Sequence, residues 1–230
     1  MTWFDAFRTK GPVAAPRADR GAKLAEGRVA LVTGGAGVVG SAICRALALE
    51  GAAVAVAFHR SDEKAHALAA ELQQAGGRAG AWRADIRNPA DVDVLEAAVR
   101  AALGPIDVLV NNAAPSQQGL GSRGFLEQDW DEYQGFVDTV LKGTVLCTKA
   151  VLPSMIERRF GRIINIGTTA VDIVSARINP YVTAKAGLTG FTRSLAGSRL
   201  PNGSREMLDI VAYLAHRRDR LKEVMATWTQ

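Results

Sequence analysis

The chain predicts an α/β fold, a doubly wound parallel sheet with helices on both faces, and three observations carry that expectation. From Arg28 onward, short runs rich in β-branched and small apolar residues alternate with longer amphipathic stretches, the rhythm of repeated strand-helix-strand units. The short runs are apolar at consecutive positions, as in strands buried on both faces. A glycine-rich turn stands directly between the first run and the first amphipathic stretch.

The elements follow in order. Val29 to Val32 predicts a strand and Val39 to Glu50 a helix; Ala53 to Phe58 a strand and Glu63 to Ala75 a helix. Ala79 to Ala84 predicts the third strand, Pro89 to Ala102 its helix, and Ile106 to Val110 the fourth strand. One long helix is expected from Trp130 to Glu157, then a strand at Ile163 to Ile166. Asn179-Pro180-Tyr181 opens a further helix to about Ala196, with Pro180 suited to its first turn. Beyond Gly197, the residues Met207, Val211, Leu214, Leu221, Met225 and Trp228 fall on one helical face interrupted by Arg218, which predicts a single amphipathic helix over 204–228. Residues 1–23 carry Gly11, Pro12, Pro16 and Gly21 among scattered charges and read as a flexible extension; residues 24–230 read as one domain.

Composition excludes several classes. A chain with 48% hydrophobic and 22% charged residues is neither disordered nor fibrous. Of the net charge of +5, residues 1–28 supply +3, six Lys/Arg against three Asp/Glu, and the rest shows no basic stripe, so a nucleic-acid partner is not expected. The apolar stretches fall short of the roughly 20 residues of a membrane helix, so no membrane span is expected. Cys44 and Cys147 lack metal-ligand spacing and sit in apolar helical contexts, which reads as reduced core thiols of a cytoplasmic protein, with no metal site.

Three motifs carry chemistry. Thr33-Gly34-Gly35-Ala36-Gly37-Val38-Val39-Gly40 links the first strand to the first helix, where glycines permit a tight turn and pyrophosphate can rest on helix N-terminal amides. The second strand ends in Phe58-His59-Arg60-Ser61, where an acidic residue would hold a ribose 2′-hydroxyl and where Arg60, with His59 and Ser61, instead suits a 2′-phosphate; NADP(H) is therefore expected over NAD(H). Tyr181 and Lys185, at i and i+4, share one helix face, and an ammonium near a phenol favours proton transfer. Thr168, thirteen residues before Tyr181 at the end of a strand, offers a hydroxyl to the same substrate oxygen.

Taken together, these residues resemble the classical short-chain dehydrogenase/reductase family, and within it the 3-oxoacyl-acyl-carrier-protein reductases. The resemblance runs from about Leu24 to Ala196 on Thr33 to Gly40, Asp85-Ile86, Asn111-Asn112-Ala113-Ala114 and Tyr181 to Lys185. It implies a Rossmann-type sheet of seven parallel strands and hydride transfer between a nicotinamide cofactor and a carbonyl or alcohol substrate, in a homodimer or homotetramer. It implies that Gly34, Gly37, Val39 and Gly40 take the pyrophosphate, that Asp85 and Ile86 flank the adenine, and that Asn112 and Ala113 lie beside the nicotinamide ribose. Tyr181 matches the catalytic acid/base, Lys185 the lysine that tunes it and holds the ribose, and Thr168 the catalytic serine.

Three departures are visible. Val38 stands at the middle glycine of the family loop, as in pteridine reductases. Val140 stands where the proton-relay asparagine falls. After Ala196 the family's last strands are read as missing or replaced. Thr168, Tyr181 and Lys185 favour an NADP(H)-dependent ketoreductase; Val140 and the C-terminus favour a catalytically impaired dinucleotide-binding or assembly protein. A pteridine or quinone reductase is the alternative within enzymes.

Overall fold

The computed structural model describes residues 23–115, 123–172, 177–197 and 208–214. Its strands are β1 (Val29–Thr33), β2 (Ala53–Phe58), β3 (Ala79–Arg83), β4 (Val108–Asn111), β5 (Gly161–Gly167) and β6 (Leu208–Leu214). The helices are α1 (Val38–Leu49), α2 (Asp62–Gln74), α3 (Pro89–Leu103), α4 (Trp130–Phe136), α5 (Gly143–Glu157) and α6 (Asn179–Gly197). A π-helical segment, Val137–Lys142, joins α4 to α5. The strands form one sheet in the order β3-β2-β1-β4-β5-β6, with every pair parallel. The winding reverses between β1 and β4, and this opens a crevice at the carboxyl ends of those two strands.

Alternation along the buried strands builds two cores. Ala30, Val32, Val54 and Val56 pack with Ile43 and Leu47 of α1 and Leu68 and Leu72 of α2. The intervening Leu31, Ala55, Leu109 and Ile163 face the other way, against Val92, Leu95 and Val99 of α3 and Cys147, Val151 and Met155 of α5. Both cysteines are buried and free, and burial pushes each thiol up to about 12. The helical run Trp130–Glu157, 28 residues, has the length and hydropathy of a membrane span, which the sequence reading did not single out. One face of it, with Phe136, Val140, Cys147, Val151 and Met155, is buried in the protein.

At the amino ends of the strands, Asp107 ties three elements together. Its Oδ2 accepts the Val29 N–H at 3.0 Å and its Oδ1 the Arg158 guanidinium at 2.6 Å, while Arg158 also donates to Ile106 O at 2.7 Å. Arg28 lies over the Phe160 ring at 3.7 Å, which closes the same end.

The C-terminal expectation needs correction. Residues 208–214, read from the sequence as part of a helix over 204–228, form β6, paired with β5 from Gly161↔Leu208 to Gly167↔Leu214. Ile210, Val211 and Tyr213 favour extended structure, and the edge of β5 presents backbone donors and acceptors that a parallel strand satisfies. The helical spacing of Met207, Val211 and Leu214 was a coincidence of period. The family's sheet is thus continued by one strand beyond β5, and six of the seven implied strands are present among the described residues. The remainder of the predicted helix and nearly all of the extension over 1–23 lie outside those residues. The helix expected over Trp130 to Glu157 is present with those bounds as one continuous run, and only the π-helical turn within it is not revealed by periodicity.

Asp107→Ala leaves Arg158 and the Val29 N–H without their carboxylate. It should lower the unfolding free energy by about 3 kcal/mol in urea denaturation. Because Asp107 sits at the end of the sheet opposite the crevice, ligand affinity there should not change.

Candidate active site

The crevice is a cavity of about 780 Å³ at the carboxyl ends of β1, β2 and β4, and its shape is fixed by backbone constraints in the loop that follows β1. Gly34 has φ +62°, and a Cβ there would stand 2.9 Å from Ala113 Cα; a Cβ on Gly40 would collide with the Gly34 carbonyl. Only glycines permit the loop to lie this close to β4 and to the start of α1. Helix α1 begins after Gly37 with no side chain capping it and no acidic residue in its first turn, so its free N–H groups and positive dipole end are left for an anion. Val38, at the middle-glycine position, is 90% exposed and leaves the cradle open.

Thr33 and Asn112 lock the loop in place. The Thr33 hydroxyl donates to Val110 O at 3.3 Å and accepts the N–H groups of Asn112 at 3.0 Å and Ala113 at 3.1 Å. The Asn112 amide donates to Thr33 O at 2.9 Å and Gly34 O at 3.1 Å. One layer below, the buried Asn111 donates to Asn165 Oδ1 at 2.9 Å, and Asn165 donates to Thr192 Oγ1 at 2.9 Å, joining β4, β5 and α6.

Every residue expected from the sequence to hold a dinucleotide lines this one cavity: Gly34, Gly37, Val39, Gly40, His59, Arg60, Ser61, Asp85, Ile86, Asn112, Ala113, Tyr181 and Lys185. The far end, at β2, is edged by His59, Arg60 and Ser61. Tyr181 packs its ring edge-on against Phe136 of α4, centroids 5.9 Å apart, above Val140, Ala184 and Leu188. Lys185, only 3% exposed, donates to the carbonyl oxygen of Ile166 on β5. Burial lowers its ammonium to about 8.

Thr168 is the exception. It follows β5 but is not among the residues lining the cavity, and its hydroxyl accepts the Ala170 N–H at 3.2 Å, opening the 3₁₀ turn Thr169–Asp172. Val140, at the relay position, is 1% exposed within the apolar cluster of Phe136, Ala184 and Leu188. Its carbonyl accepts the Thr144 hydroxyl at 2.7 Å. Sequence reasoning missed Arg87, Gly135 and Thr139, which also line the cavity. Arg87 stands two residues beyond Asp85, and Gly135 and Thr139 are one helical turn apart, so both signals were present but carried no motif.

The glycine cradle, the uncapped helix end and the basic far edge fit a dinucleotide. Comparison with known proteins agrees. A family described as short chain dehydrogenase matches residues 28–203, and the chain belongs to that family of oxidoreductases. A 3-oxoacyl-[acyl-carrier-protein] reductase of Synechocystis sp. is 41% identical over 169 residues, 74% of this chain and 67% of that protein. A (2S)-[(R)-hydroxy(phenyl)methyl]succinyl-CoA dehydrogenase subunit of Thauera aromatica is 41% identical over 171 residues, 74% of this chain and 66% of that protein. The chain therefore spans about two thirds of the length of these relatives. Among solved structures, a metagenomic short-chain oxidoreductase in complex with NADP has a TM-score of 0.76 at 31% identity, covering 90% of this chain and 92% of that one. A gluconate 5-dehydrogenase from Burkholderia cenocepacia in complex with NADP and tartrate has a TM-score of 0.71 at 27% identity, covering 83% and 71%.

The buried ammonium makes stability depend on pH. Because the folded Lys185 titrates near 8 and the unfolded one near 10.5, this group leaves more protons on the unfolded state between those values and contributes stability that grows as pH rises through that window, while the buried Cys44 and Cys147 thiols, raised from 9.0 to about 12, act in the opposite direction above pH 9. This rise from Lys185 amounts to about 3 kcal/mol and is read as the change, between pH 8 and pH 10.5, in the urea-denaturation difference between the native chain and Lys185→Met, in which the thiol contributions cancel. Lys185→Met should be more stable than the native chain at pH 7 and should lack this rise.

Proposed function

We propose that this chain is an NADP(H)-dependent oxidoreductase that reduces a carbonyl to an alcohol. The observation that carries the proposal is the meeting of Tyr181 and Lys185 with the glycine loop and the His59-Arg60-Ser61 edge around one cavity. When bound, the nicotinamide supplies the hydride. The protein's part is to hold the dinucleotide across the crevice, to place the Tyr181 hydroxyl as proton donor to the developing alkoxide, and to offer the Lys185 ammonium to the ribose. Thr168 serves as the second hydrogen-bond donor to the substrate oxygen once its hydroxyl turns from Ala170. The names of the Synechocystis and Thauera relatives, both of which act on acyl thioesters of a carrier protein or coenzyme A, support a 3-oxoacyl thioester as substrate. Cytoplasmic location and at least a dimeric assembly belong to the same proposal; the exposed Phe125, Leu126 and Trp130 beside α4 favour an assembled form.

A second reading, a dinucleotide-binding protein impaired in catalysis, is favoured by Val140, which has no polar side-chain atom to hold a relay water, and by the position of Thr168. One assay separates the two. NADPH oxidation is followed with acetoacetyl thioesters and a panel of small ketones and quinones; the proposal expects turnover, and Tyr181→Phe should reduce it by roughly 10² to 10⁴ with NADPH affinity little changed. Tight NADPH binding without turnover on any of them, with Tyr181→Phe behaving identically, would establish the second reading.

Cofactor choice is tested separately. Arg60→Ala removes a charge-assisted phosphate contact and should weaken NADPH binding about tenfold or more in titration calorimetry, leaving NADH nearly unchanged. Equal losses for both would defeat the assignment of the 2′-phosphate to this edge.

A further inference from the structure

Among the described residues Asp85 is the only carboxylate lining the cavity, and it stands beside the basic edge: its Oδ2 lies 3.8 Å from His59 Nε2. A bare carboxylate there would repel a phosphate dianion seated against His59 and Arg60. The structure does not leave it bare. Arg87, from the same strand-end loop, donates Nε to Oδ1 at 2.8 Å and Nη2 to Oδ2 at 2.6 Å, and its backbone N–H adds a third bond to Oδ1 at 3.0 Å. The fork holds both carboxylate oxygens, and it keeps the Asp85 carboxyl near 2, so the group is ionised and paired rather than protonated. Arg87 also feels the charge of Asp138 on the π-helical segment, whose carboxylate accepts the Gln134 amide at 2.8 Å. Arg83 supports the opposite side by donating to His59 O at 3.2 Å.

We propose that Arg87 is a positioning residue for cofactor selectivity: by pairing with Asp85 it cancels the charge of the one carboxylate that the described residues place on the cavity wall, so that the cavity accepts a 2′-phosphate. This inference rests on the reading of His59-Arg60-Ser61 as the phosphate edge, and it assigns Arg87 an action through Asp85, not a contact with the phosphate. The pair is partly exposed, with Arg87 and Asp85 side chains 40% and 25% accessible, so its influence is moderate and falls with salt.

The test is titration calorimetry of NADPH and NADH on the full chain, at 0.05 M and 0.5 M salt, for the native protein, Arg60→Ala, Arg87→Met, Asp85→Asn and the double variant Asp85→Asn/Arg87→Met. Arg87→Met should weaken NADPH binding about fivefold at low salt and less at high salt, with NADH changed less than twofold. Removing the carboxylate as well should restore NADPH affinity to within about twofold of Asp85→Asn alone. Arg87→Lys, which keeps the charge, should retain most of the preference, and it serves if Arg87→Met proves poorly folded by circular dichroism. Equal losses for NADPH and NADH in Arg87→Met would overturn the inference, since Arg87 would then act on the shared adenine or on the loop. A double variant that still carries the full NADPH loss would overturn it too, by showing direct contact with the phosphate. If the native chain shows no preference for NADPH, the phosphate-edge reading fails and this inference with it. If Arg60→Ala abolishes a preference that Arg87→Met leaves intact, the inference alone fails.

Discussion

The clasp between Thr33 and Asn112 is the constraint on which the site depends. A doubly wound sheet leaves a gap where its winding reverses, and the two strand ends that flank the gap would otherwise diverge. Here Asn112 donates across it from β4 to β1, its backbone N–H to the Thr33 hydroxyl and its side-chain amide to the carbonyls of Thr33 and Gly34. That fixes the glycine loop against Ala113 and sets the start of α1 at the mouth of the crevice. Glycine at 34 and 40 is then a steric necessity, since any Cβ would push the two layers apart.

Electrostatics divide the crevice into regions with different tasks. At the loop, fixed dipoles from an uncapped helix present a positive end without a side-chain charge. At the β2 edge, the His59 imidazole stands 3.8 Å from the Asp85 carboxylate, which Arg87 holds in a bidentate pair. Near Tyr181, the ammonium of Lys185 is taken out of water and tied to the Ile166 carbonyl, which costs stability at neutral pH and leaves a buried cation on the cavity wall. The buried Asn111, Asn165 and Thr192 hold β4, β5 and α6 in fixed relation beneath these groups, so Tyr181, Lys185 and the loop share one base.

Much of this was legible in the sequence because the relevant signals are local. Consecutive apolar residues gave away buried strands, and the spacing of Gly34, Gly37 and Gly40 after β1 marked the loop. Ala53 to Phe58 was placed residue for residue. The i, i+4 relation of Tyr181 and Lys185 put both at the cavity, where α6 does bring them. What failed was non-local or depended on shape. Residues 208–214 have a period that suits a helix and side chains that suit a strand, and the open edge of β5 decided between them. The π-helical turn at Val137–Lys142 has no sequence period of its own. Arg87 belonged to no motif, and its place on the cavity wall comes from pairing with a carboxylate two residues away. The hydroxyl of Thr168 is positioned by the turn that follows it, which a comparison of residue types does not show.

The account stands or falls on whether the crevice between β1 and β4 is a dinucleotide site held by backbone amides. Amide hydrogen exchange of the chain with and without saturating NADPH tests this directly. Slowed exchange should concentrate at residues 34–40, 59–61, 85–87 and 112–113, with the amide groups of Ile106 to Val108 at the opposite end of the sheet unchanged. Protection that omits residues 34–40, or that spreads evenly over the sheet, would contradict the account.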